Sequence, residues 1–305
     1  MTAGNGPAGA ATAPAAAWWL AIRPKTLTMA IVPVFTGAAA ALSVTGSFAL
    51  PQFLLALSAA LAIQIGTNLF NDWRDARTGL DTADRLGPTR VTASGLIAPD
   101  AVKRMAYAAF LYAAAAGALA VAIGGPPMAV IAATSIVAGY CYSRGPWPIS
   151  DSPFGEVFVL AFFGGVAVLG TYWLMVGTWS LAAIACGLQI GLPAAAVLLV
   201  NNHRDREGDA ASGRRTLAIL LGPDATRRLY RLFLVGACLF GIVVALATGS
   251  FGPLATLAAL PLALSLSRDM AAQPIGRDLN AILARTAQFQ AVLGGLLVVG
   301  LLIGV

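Results

Sequence analysis

Nine apolar stretches, at about 26–43, 50–70, 103–122, 126–142, 154–176, 180–200, 229–248, 251–267 and 285–305, decide what this chain can fold into. Each is near the roughly 20 residues that a helix needs to cross a hydrocarbon core about 30 Å thick. Hydrophobic residues make up 58% of the 305 and charged residues only 10%, where a soluble domain carries about a quarter; mean hydropathy is +0.80. No segment alternates in the manner of a barrel strand, so helices are the spanning structure that satisfies the backbone in lipid. The expected fold is all-α: a polytopic membrane bundle of about nine transmembrane helices.

The charges support that count. All 19 Lys and Arg lie in the N-terminal flank or near the connections after the second, fourth, sixth and eighth runs. The intervening connections have none. A miscounted span would destroy this parity, and the positive-inside rule then places the N-terminus and the long loops in the cytoplasm and the C-terminus outside. The pI of 9.7 is thereby explained without a nucleic-acid partner; membrane lipid and an anionic substrate are the natural counterparts. The 13 acidic residues share the cytoplasmic side. Acids contribute little to insertion, so their placement points to chemistry at that face.

Two span ends repeat one pattern. Asn71-Asp72-Trp73-Arg74-Asp75 aligns with Asn201-Asn202-His203-Arg204-Asp205, with three of five positions identical. Residues four apart share a helix face, so Asn71 joins Asp75, and Asn201 joins Asp205 and then Asp209. Each half of the chain thus brings oxygen donors to one mouth, as in internally repeated membrane folds. Carboxylates and amides suit a hard cation, and Mg2+ fits best because it joins protein carboxylates to substrate phosphates. Two such stripes hold two ions that neutralise a diphosphate leaving group. For a single aspartate, pairing with a neighbouring arginine on a solvated loop explains the acid equally well; the repetition at two span ends favours function.

The remaining features are plain. Residues 1–17, rich in Ala, Gly, Pro and Thr, read as a disordered tail preceding a single domain over 18–305. Cys141, Cys186 and Cys238 lack metal or redox spacing and read as packing residues.

From about Trp19 onward the sequence resembles the UbiA superfamily of intramembrane prenyltransferases. The residues that carry the resemblance are RPKTL (23–27), NDWRDARTGLDT (71–82), GPTRVTASGLI (87–97), YSRGPWPI (142–149), FGE (154–156) and NNHRDREGDAASGRRTLAILLG (201–222). Within that superfamily they are most similar to the branch acting on 1,4-dihydroxy-2-naphthoate. The third aspartate of the superfamily's first motif falls at Gly79, with Asp81 the nearest acid. The resemblance implies a UbiA-like bundle of two related halves in the cell's inner (cytoplasmic) membrane, open to the cytoplasm. It implies polyprenyl diphosphate held through Mg2+, and transfer to 1,4-dihydroxy-2-naphthoate with loss of the carboxyl group. 4-Hydroxybenzoate is the alternative acceptor.

The implied metal set is Asn71, Asp72, Asp75, Asp81, Asn201, Asp205 and Asp209, with Asp75, Asp205 and Asp209 ahead of Asp72 and Asp81. Arg23, Lys25, Arg90 and Arg144 are the candidate diphosphate clamps, with Tyr142 beside Arg144; Arg23 and Lys25 serve equally as interface anchors. Arg214 and Arg215 read as solvated loop charges. Phe162, Phe163, Tyr172 and Trp173 divide between shielding an allylic cation and packing, and His203 between general base and orienting group. A secondary transporter, the rival class, requires acids deep in the bundle and reachable from both sides; these sit at one end.

Overall fold

The structure is a computed structural model, and it describes residues 14–78, 86, 90–142 and 148–303. Among these residues there are helices and connections but no strand. In chain order the helices are α1 (Pro14–Ile22), α2 (Pro24–Thr45), α3 (Leu50–Thr78), α4 (Pro99–Gly124), α5 (Pro126–Cys141), α6 (Gly155–Val159), α7 (Ala167–Val176), α8 (Leu181–Arg204), α9 (Arg206–Ala211), α10 (Leu217–Thr248), α11 (Leu260–Ala272) and α12 (Leu279–Ile303). A π-helical stretch, Leu160–Val166, joins α6 to α7 as one span, and a 3-10 stretch, Gly252–Ala259, leads into α11.

Among the described residues, eight segments are long and apolar enough to cross a membrane. The predicted run at 126–142 is helical too; α5 has only 16 residues, about 24 Å at 1.5 Å per residue, shorter than a full hydrocarbon core, yet it runs the length of the cavity from Met128 toward Tyr142. The 1–17 tail also ends earlier than expected. Helix α1 begins at Pro14, and Ala17 and Ala21 are buried; residues 1–13 lie outside the described residues. In α10 the helix breaks at Gly222, whose φ of 74° is left-handed, just before Pro223; the apolar span proper starts after this kink.

Lipid tails are as apolar as leucine, so helices here associate through close packing and interhelical hydrogen bonds. Helix α8 is the central post. Its Gly187 and Gly191 meet the backbone of the π-helical stretch at Leu160 and Gly164, where any Cβ would collide with a carbonyl. Gln189 in the middle of α8 donates to the Ala237 carbonyl at 2.9 Å and to Thr256 at 3.1 Å. Helices α10, α11 and α12 pack on its other side through Tyr230, Leu234, Leu266, Phe289 and Leu293. The N-terminal end of α2 and the C-terminal ends of α3, α5 and α8 gather at one end of this bundle.

Candidate active site

That shared end is the polar mouth of a cavity of about 380 Å³. Asn71, from the end of α3, and Asn201, from the end of α8, both line it, together with Arg23, Asn68 and Tyr142. Beyond them the walls are aliphatic and aromatic, reaching Leu55, Met128 and Leu174 at the far ends of their helices. The two repeated segments therefore meet at one mouth.

Arg23 reaches the mouth from an unusual backbone. It sits between α1 and α2 at φ 54°, ψ 70°, the one left-handed non-glycine among the described residues. Asn68 of α3 fixes this junction: its amide donates to the Ile22 carbonyl at 3.0 Å and to Thr26 Oγ1 at 2.9 Å. A strained conformation costs about 1–3 kcal/mol and persists where its surroundings over-determine it, commonly at a functional site. Lys25, two residues on, is exposed and off the cavity wall.

Asp72 is held by backbone. Its carboxylate is buried and accepts the backbone N–H groups of Val91 at 3.1 Å and Thr92 at 3.0 Å. Each oxygen accepts one N–H from the segment that follows Arg90, itself buried; Asp72, like Asp205 and Asp209, is set back from the cavity wall. It is a strut that carries the Arg90 segment onto α3. Asp75 lies on α3 one turn beyond Asn71, but its side chain, like the whole of Asp81 and Arg144, falls outside the described residues.

The second stripe is not one helix. Helix α8 ends at Arg204, Asp205 leaves helical geometry at φ −91°, ψ 4°, and α9 resumes at Arg206. Register survives the break, because Asp205 N–H donates to Asn201 at 3.1 Å and Asp209 N–H to Asp205 at 2.8 Å. Each acid of the stripe carries a guanidinium. Arg204 grips Asp205 in bidentate fashion, Nε to Oδ1 at 2.8 Å and Nη2 to Oδ2 at 2.5 Å. The same side chain, only 2% exposed, also donates to Asn201 Oδ1 at 2.9 Å and Asn280 Oδ1 at 2.6 Å. Asn280 in turn donates to the Leu86 carbonyl at 2.7 Å, tying α12 into the mouth.

Arg214 is the other guanidinium, and it is not a solvated loop charge. It donates to Asp209 Oδ1 at 2.9 Å and pairs with Asp151 Oδ1 at 3.2 Å. Asp151 also pairs with Arg74 at 3.7 Å and accepts the Arg215 N–H on its backbone carbonyl at 2.9 Å. Burial pushes the Asp209 carboxyl above its ordinary range; Arg214 pulls it down, and Asp205 and Asp151 push it further up.

Of the aromatics, Phe162 and Phe163 line the cavity, and Tyr142, Phe158 and Phe162 form a ladder with ring centroids 5.7 and 4.4 Å apart. Tyr172 is buried in the core, and Trp173 donates to the Gly124 carbonyl at 2.8 Å; both are packing residues. His203 is fully buried away from the cavity wall, and neither ring nitrogen has a hydrogen-bond partner among the described residues. Its placement does not suit a base acting on a substrate in the cavity.

Sequence reasoning gave no role to four contributors: Asn68, Asp151, Arg204 and the buried pair in which Asn202 donates to Glu156 at 2.9 Å. Arg204 carried a signal, since a cation in the last turn of an apolar span is costly unless paired.

The donors at the mouth are amide and carboxylate oxygens without thiolate, which fits a hard cation. Among the described residues no three acidic, histidine or cysteine side chains form a cage. Magnesium needs none, since it takes one or two carboxylates and completes its shell with phosphate and water.

Residues 30–289 match the UbiA prenyltransferase family. The chain belongs to that family. Among UbiA-family relatives, 1,4-dihydroxy-2-naphthoate octaprenyltransferase of Mycobacterium tuberculosis is 36% identical over 273 residues, covering 89% of this chain and 91% of the relative. The Bacillus subtilis protein of the same name is 32% identical, covering 93% and 92%. The fold matches that of a UbiA homologue from Archaeoglobus fulgidus solved bound to DMAPP and Mg2+, with a TM-score of 0.67 at 15% identity, over 94% of this chain and 99% of that one. The chain is accordingly a membrane-embedded, prenyl-transferring enzyme of the UbiA family.

Proposed function

We propose that this chain transfers a polyprenyl group from polyprenyl diphosphate to 1,4-dihydroxy-2-naphthoate, with release of carbon dioxide, as a step of menaquinone synthesis. The convergence of Asn71 and Asn201 at the polar end of a long apolar cavity carries the reading: it suits a substrate with an anionic head and a hydrocarbon tail. The relatives named for that acceptor support the choice of ring.

Asn71, Asp75, Asn201, Asp205 and Asp209 hold the diphosphate end, and Asp81 is assigned to the same metal set. Bound Mg2+ supplies charge neutralisation of the diphosphate as it leaves. Arg23 adds positive charge on the cavity wall, and Arg144, Arg90 and Lys25 are the further cations assigned to the diphosphate. Departure leaves an allylic cation, which a dry pocket protects from water and which aromatic faces stabilise; Tyr142, Phe158 and Phe162 stand on that wall. The apolar remainder of the cavity takes the tail. The electron-rich naphthalene ring then attacks the cation, and its carboxyl group leaves as carbon dioxide.

The mouth faces the cytoplasm and the protein resides in the inner membrane; the parity of the 19 cations supports this orientation. Purified protein given labelled prenyl diphosphate should label 1,4-dihydroxy-2-naphthoate only when Mg2+ is present. Asp75→Asn or Asp205→Asn should abolish labelling while the protein stays folded in detergent. Labelling that survives chelation, or near-normal turnover in either variant, overturns the reading.

A further inference from the structure

The two guanidiniums at the second stripe are held differently. Arg204 is 2% exposed and serves Asp205, Asn201 and Asn280 at once; releasing it would strand several acceptors in a buried place. Arg214 is 24% exposed and shared between two carboxylates, Asp209 and Asp151. It can let go of Asp209 and still be held by Asp151, whose backbone carbonyl also accepts from Arg215. Asp209 belongs to the stripe that runs through Asp205 from Asn201 on the cavity wall. Arg214 thus lies beside the mouth, and of its described partners Asp209 is one that a metal ion would claim and Asp151 one that it would not.

We infer that Arg214 is a diphosphate-binding residue held in reserve: its guanidinium covers Asp209 until a divalent cation takes that carboxylate, and then, anchored by Asp151, turns onto the diphosphate. This rests on the reading of the mouth as the diphosphate site. Among the described ion pairs, Arg214 neutralises Asp209, so an arriving cation displaces a positive charge that the incoming anion can use. Asp151 is then a positioning residue, setting where Arg214 lies once Asp209 is occupied.

A purely structural ion pair and a competing one give opposite results. Magnesium binding to detergent-purified protein without substrate is titrated by calorimetry, and binding of inorganic diphosphate is measured at saturating magnesium. Removing a competitor makes Arg214→Ala bind magnesium more tightly, by about two- to five-fold, the scale of a partly exposed ion pair. The same variant should bind inorganic diphosphate about ten-fold more weakly or worse, the scale of a charge-assisted hydrogen bond. Arg214→Lys should keep magnesium affinity near wild type and recover part of the diphosphate loss. Asp151→Asn should weaken diphosphate binding without tightening magnesium. Unchanged or weaker magnesium binding in Arg214→Ala, or unchanged diphosphate binding, overturns the inference. Both titrations stand apart from turnover, so a wild-type protein that binds both ions yet prenylates no acceptor refutes the proposed function and leaves this test decisive.

Discussion

Replacing Arg204 with Met removes a guanidinium and keeps an unbranched side chain of similar reach. Four acceptors lose their donor: both oxygens of Asp205, Asn201 Oδ1 and Asn280 Oδ1, at 2.5 to 2.9 Å in the intact protein. Breaking a buried ion pair by removing one partner costs about 3–5 kcal/mol. Asp205 is 27% exposed, so water recovers part of its solvation, and the lower bound of about 3 kcal/mol applies. At about 2 °C per kcal/mol for a large domain, the melting temperature should fall by about 6 °C. Thermal unfolding in detergent, followed by size-exclusion chromatography of heated samples, measures it. Arg214→Ala is the internal control: its pair is partly exposed, and the loss should stay within about 1 kcal/mol. A drop below about 2 °C for Arg204→Met, or an equal drop for both variants, would refute the distinction between a buried strut and a releasable cation on which the site description depends.

Asp209→Asn should abolish transfer yet match or exceed wild-type stability at pH 7. The folded state holds the Asp209 proton to higher pH than the unfolded chain does, so its stabilising contribution is present below about pH 4 and is lost as pH rises through the raised value; melting curves from pH 4 to 7 should be flatter in the variant, and an unchanged slope would contradict the assignment. Arg144→Ala should raise KM for prenyl diphosphate more than for the acceptor, with Arg144→Lys recovering only part because a point charge replaces a planar fork; steady-state kinetics with each substrate varied decides it. A reporter fused after Val305 should lie outside the cytoplasm, and a cytoplasmic signal would undo the topology.

Eight of the nine predicted spans were legible because the bilayer imposes length and apolarity on them, and the cations because insertion sorts them by side. The convergence of Asn71 and Asn201 was legible from the repeat, since equal positions at two span ends share one mouth. Three-dimensional commitments were not. The i,i+4 spacing from Asn71 ranked Asp75 above Asp72, but it did not reveal that Asp72 would accept the backbone N–H groups of Val91 and Thr92. The break at Asp205 was hidden because the i,i+4 spacing survives it. The ion pair of Arg214 with Asp151 joins residues 63 positions apart, and the approach of Arg204 to Asn280 joins residues 76 apart. Such pairings follow from how the helices are packed, which periodicity alone does not specify.

The central claim is that one site joins a prenyl cation to the naphthoate ring and expels its carboxyl group. The direct measurement is carbon dioxide released per prenylated product, using purified protein, Mg2+, a prenyl diphosphate and carboxyl-labelled 1,4-dihydroxy-2-naphthoate. The account predicts equal amounts of the two, both lost in Asp205→Asn. A prenylated product that retains its label, or efficient prenylation of 4-hydroxybenzoate in preference to the naphthoate, would contradict it.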